Sequence, residues 1–87
     1  MTVLGIDQIK KDEGHIFYRQ KYTGLATIEI VSKNVTFPLT FIIDTNPLGV
    51  KTIEIGILPQ DVSYPVIPLK KALKEYVNKL SEQGKLP

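Results

Sequence analysis

From Gly14 to Leu58 apolar and polar residues alternate with a period of two, and this pattern constrains the chain more than any other feature. Side chains on a strand point to opposite faces in turn, so sustained alternation describes a sheet with one buried face. The runs fall at 15–22, 25–32, 35–44 and 50–58, and their isoleucine, valine, threonine and aromatic content suits a pleated surface. The links between them are short, so consecutive strands are expected to pair antiparallel as a meander.

Turn chemistry then proposes a register. A two-residue turn at Lys33-Asn34 pairs Ser32 with Val35 and sets Ile30 opposite Phe37, Ile28 opposite Leu39 and Ala26 opposite Phe41. Asn46-Pro47-Leu48-Gly49 suits a type I turn, with Gly49 left-handed as a bulge. That turn pairs Asn46 with Val50, Ile43 with Ile53, Phe41 with Ile55 and Leu39 with Ile57. The same motif at Lys21-Tyr22-Thr23-Gly24 sets Tyr18 beside Ile28 and Ile16 beside Ile30. All three turns collect the large apolar residues on one face. Pro38 conflicts with this scheme, because an interior strand has no place for a residue without a backbone donor; a bulge, a bend or a split strand is expected there.

Residues 59–67 are proline-rich and read as an extended crossing segment, followed by a helix over 68–83. Leu69, Ala72, Leu73, Tyr76, Val77 and Leu80 recur at helical spacing, Pro68 suits the first turn, and Gly84 suits the position after the last. Residues 1–13 read as an irregular arm or a short helix, since Ile6 and Ile9 are at helical spacing but the charged run to Gly14 ends the pattern. The fold expected is α+β: a four-stranded antiparallel β-meander over 14–58 with a C-terminal amphipathic helix packed on one face, as a single small domain. At 87 residues one such domain is what the chain can build.

Composition narrows the function classes. With no cysteine there is no disulfide framework, thiol chemistry or cysteine-based metal site. The longest apolar runs are too short to span a bilayer, and the N-terminus has neither the basic nor the apolar region of a signal peptide. No membrane partner and a cytoplasmic location are therefore the default expectation. The formal net charge of +2 is too small to declare a nucleic-acid partner, and the central stretch 24–67 is net acidic.

Chemistry-bearing motifs are absent: no phosphate-binding glycine loop, no paired-histidine zinc motif, no calcium loop. Ser63 lies in a turn context, and His15 has no second histidine to share a metal. Asp44 faces Thr52 in the proposed register, which makes Glu54 its diagonal neighbour, the one carboxylate pair placed to hold a divalent cation or share acid–base work. A solvated sheet face accounts for the same acids, with Glu29 meeting Arg19 diagonally. Pro65-Val66-Ile67-Pro68 matches a proline-ligand pattern and is better read as a stiff lead-in to the helix. Neither a cofactor nor a metal is expected.

The outer face of the sheet is the surface that asks for a partner. A helix-backed sheet normally turns polar on its second face, whereas here Phe17, Leu25, Val31, Ile42, Val50 and Leu58 fall among threonines. The expectation is a non-enzymatic interaction module, self-associating as a homodimer or binding another protein through the outer face or a strand edge. Phe17, Leu25, Val31 and Ile42 are placed at the centre of that contact. The alternative is a single-stranded nucleic-acid binder using Phe17, Arg19 and Lys21 of the first strand with Lys70 and Lys74 of the helix, since rings stack bases and cations meet phosphates.

Overall fold

The computed structural model describes residues 1–12, 18–59, 62 and 64–87. Its elements are β1 (Thr2–Lys11), β2 (Arg19–Ile30), β3 (Lys33–Thr45), β4 (Lys51–Ile55) and α1 (Val66–Glu82). The strands form one antiparallel sheet in the order β1-β2-β3-β4, and α1 packs on one face of it. The α+β meander with a C-terminal helix is therefore present, but its strands are not all those expected.

Two of the expected strands are one. No turn interrupts 21–24: Arg19 to Ile30 runs as a single strand paired continuously with Lys33 to Asp44 of β3. The place of the first strand is taken by Thr2–Lys11, where the sequence suggests an arm or short helix. Its period is broken by irregularities between Val3 and Gly5 and between Asp7 and Lys10, where Gln8 takes φ 53°. Those bulges carry Ile6 and Ile9 over the core face at a spacing that imitates a helix. Gly24 is the complement of the second bulge. A Cβ there would lie 3.1 Å from both the Asp7 carbonyl and Ile6 Cγ2, so only glycine lets β1 fold so closely over β2.

The β2–β3 turn is at Val31-Ser32, not Lys33-Asn34. Both turn residues are left-handed, at φ 47° and 65°, as a tight twisted hairpin demands. The register differs accordingly: Ala26 lies opposite Phe37 and Ile28 opposite Val35. The slip is even, so no side chain changes face. Ala26, Ile28, Phe37, Leu39, Phe41 and Ile43 are buried, as their alternation requires, together with Leu69, Leu73 and Val77 of the helix.

The β3–β4 hairpin has the expected register, with Phe41 opposite Ile55 and Ile43 opposite Ile53. Gly49 is left-handed at φ 84°, and the Asn46 side chain accepts from the N–H groups of Leu48 and Val50, each at 2.9 Å. Beyond Ile55 the expectation fails. The Gly56 N–H donates to the Thr40 carbonyl at 2.8 Å and the strand then leaves the sheet. Ile57, expected opposite Leu39 in the core, is 97% exposed, and Leu58, expected on the outer face, joins the core.

That early exit accommodates Pro38 without a bulge, bend or split. The bonds between Thr40 and Gly56 and between Asn46 and Val50 show that even-numbered residues of β3 point their main-chain groups toward β4. Pro38 shares that side, and β4 does not reach it, so its missing donor leaves no ladder bond unmade.

The helix starts at Val66, two residues before the expected Pro68, which remains in the first turn where no N–H partner is needed. It ends as a Schellman motif: Lys85 N–H donates to Leu80, Gly84 N–H to Ser81, and Gly84 takes φ 67°.

Two substitutions test this account by urea unfolding. Gly24→Val is expected to cost about 1–3 kcal/mol by forcing β1 off β2. Ser32→Gly, which relieves a left-handed serine, is expected to stabilise by about 1 kcal/mol.

Candidate functional site

The outer face of the sheet is held by polar contacts rather than by an apolar centre. Arg19 donates to Asp44 at 3.0 Å and to Glu54 at 3.5 Å, so its guanidinium bridges the two carboxylates. Glu29, expected to meet Arg19, lies instead opposite Asn34. The Asp44 and Glu54 pair is thus neutralised by a cation of the chain itself. Further along, the Thr27 and Thr36 hydroxyls share a hydrogen bond at 3.0 Å. Among the described residues no group of three or more carboxylate and histidine side chains is placed to hold a metal ion.

The residues expected at the contact centre do not come together. Leu25 lies opposite Pro38, while Ile42 lies opposite Lys21, with the Thr23–Thr40 pair between them. Val31 is off the sheet at the hairpin tip, 91% exposed. Phe17 and His15 lie outside the described residues. For the alternative reading, Arg19 is engaged with its acids, Lys21 is on the outer face, and Lys74 is on the exposed side of α1. Lys70 approaches the outer face from the edge, where it lines a hollow of about 240 Å³ with Thr40, Ile42, Glu54, Gly56 and Ile57.

This edge is what the strand pattern did not disclose. Because β4 pairs with β3 only from Phe41 to Thr45, the β4 side of β3 is open from Lys33 to Leu39. Asn34 and Thr36 direct both their N–H and C=O groups into that opening, and Pro38 directs a carbonyl alone. Beside it stand Ile57 and, one helical turn before Lys70, Ile67, which is 83% exposed. Val35, half-buried in the middle of the open stretch, packs against the core. The segment after β4 does not cover the outer face: Leu58, Val62 and Tyr64 all pack on the helix side.

A second, polar hollow of about 300 Å³ lies at the other end of the core, lined by Gln20, Tyr22, Thr45, Lys51 and Ser81. Lys51 donates to Ser81 at 3.1 Å, placing a cation at the helix C-terminus, where the dipole favours one. Tyr22 stacks on Phe41 with ring centroids 5.1 Å apart and donates to Gln20 at 2.9 Å. Burial raises its pKa above the ordinary 10.0. The folded phenol therefore holds its proton more tightly than the unfolded one, so its contribution is complete below about pH 10 and lost as pH rises through the folded value. Stability measured in urea should fall from about pH 9 to about pH 11, and Tyr22→Phe should flatten that fall.

The model of the BB_0187 family matches residues 1–82, and the chain belongs to that family. No curated protein and no solved structure matches it.

Proposed function

We propose that this member of the family acts by contact rather than by chemistry, as a small non-enzymatic interaction module that self-associates through the open edge of β3. The observation that carries this reading is the mismatch in strand length. A β3 of 13 residues is paired on its far side by a β4 of only 5, so main-chain donors and acceptors at Asn34 and Thr36 face outward. An open edge of this kind is a template for another strand. Ile57 and Ile67 add apolar surface next to it, as the centre of a protein contact requires. The ionisable groups give chemistry little support: among the described residues no polar or charged side chain is buried, and the one acid pair is tied to Arg19.

Sedimentation equilibrium over a roughly hundredfold concentration range tests the proposal directly. A mass about double the 9.8 kDa of the chain is expected, and Ile57→Lys should weaken the association at least about tenfold while leaving the circular dichroism unchanged. A monomer at every concentration would sink the reading. Salt-sensitive binding of short single strands by that monomer would favour the nucleic-acid alternative.

A further inference from the structure

The open stretch of β3 has a limited repertoire of bonds, and that repertoire selects a pairing. Between Lys33 and Leu39 the odd-numbered residues are bonded to β2, so only even-numbered ones point outward. Pro38 has no N–H, and the Thr40 carbonyl is already taken by Gly56. Asn34 and Thr36 are therefore the residues of this stretch with both a donor and an acceptor to offer. In an antiparallel ladder two residues directly opposite can exchange both bonds. The arrangement that satisfies both residues on both strands sets Asn34 of one copy against Thr36 of the other.

We infer, resting on the self-association proposed above, that two copies of this chain pair their β3 edges antiparallel about a two-fold axis at Val35. Each Asn34 exchanges both main-chain bonds with Thr36 of the other copy. The Val35 side chains meet across the axis on the helix side and join the two cores. Pro38 then falls opposite Ser32 of the other hairpin, at the end of the ladder, where no donor is required of it.

The same register explains two exposed side chains that the isolated chain leaves without a role. It sets Leu39 of one copy opposite Val31 of the other. Leu39 is beside the point where β4 leaves the sheet, and Ile57 projects from that exit. The strained tip residue Val31, 91% exposed at φ 47°, thus arrives against Ile57, 97% exposed. Two-fold symmetry makes this contact twice, once at each end of the ladder. An unrelated strand could use the edge, but it would bring no counterpart to Val31. That convergence is the reason to name a second copy as the occupant.

Because the chain has no cysteine, a thiol placed on the axis is unique. Opposed residues of a non-hydrogen-bonded antiparallel pair have Cα atoms about 4.5 Å apart, within the range a disulfide bridges. Val35→Cys is therefore expected to form a covalent dimer on mild oxidation, while Thr52→Cys on the exposed outer face stays monomeric in denaturing gels. Val31→Lys and Ile57→Glu should each weaken the dimer at least about tenfold in sedimentation, and the two together should recover most of the loss by pairing opposite charges. No cross-link at Val35, or a double variant no better than the worse single one, overturns the register. If the parent chain is nonetheless a dimer, self-association survives and its surface lies elsewhere. A parent monomeric at every concentration removes both.

Discussion

The ladder between β2 and β3 is the constraint on which the rest of the molecule depends, because it is continuous from Arg19–Asp44 to Ile30–Lys33 and every other element attaches to one of its two strands. Its parity decides which side chains face the helix. Ala26, Ile28, Phe37, Leu39 and Phe41 are buried through that parity, and Leu69, Leu73 and Val77 of α1 close over them. The same parity decides which main-chain groups face outward. Odd residues of β3 bond to β2, so even ones are left for β4, and wherever β4 is absent they are left for water or a partner. The core and the proposed contact are consequences of one alternation.

How much of this could be read in advance depended on whether a local residue carried the decision. The β3–β4 register was legible because Gly49 is the residue in that turn that takes a left-handed φ without cost, and Asn46 is suited to accept from the turn's own N–H groups. The helix face was legible from spacing alone. The β2–β3 turn was not, since Lys33-Asn34 has the better turn chemistry and yet Val31-Ser32 carries the turn. Longer-range packing overrides the local preference there: the observed register sets Tyr22 on Phe41 and Gly24 under the bulge of β1. The β1 strand was hidden by its own bulges, which replace period two with the spacing of Ile6 and Ile9.

The candidate surface was legible in kind but not in place. Leu25, Val31 and Ile42 are exposed or half-exposed apolar residues, yet the ladder separates the first and third and puts the second at a turn. What moved the surface from face to edge is the length of β4, and no periodicity encodes that length. It ends because Leu58 is drawn into the core, and a strand cannot bury Leu58 and keep Ile57 in register with Leu39 as well.

Pro38 gives the open edge its character. Proteins commonly blunt a free strand edge with proline, charge or a bulge, and here proline occupies one of the outward positions while Asn34 and Thr36 keep the others. A fully blunted edge would carry proline or an inward charge nearer the middle of the stretch. A fully sticky one would have no proline at all and would pair with any strand in any register. Placing the proline toward one end removes the registers that need a donor at Pro38 and leaves those centred nearer the hairpin. The edge is therefore selective rather than closed, and selectivity of register matters for a contact that must repeat identically on two copies of one chain.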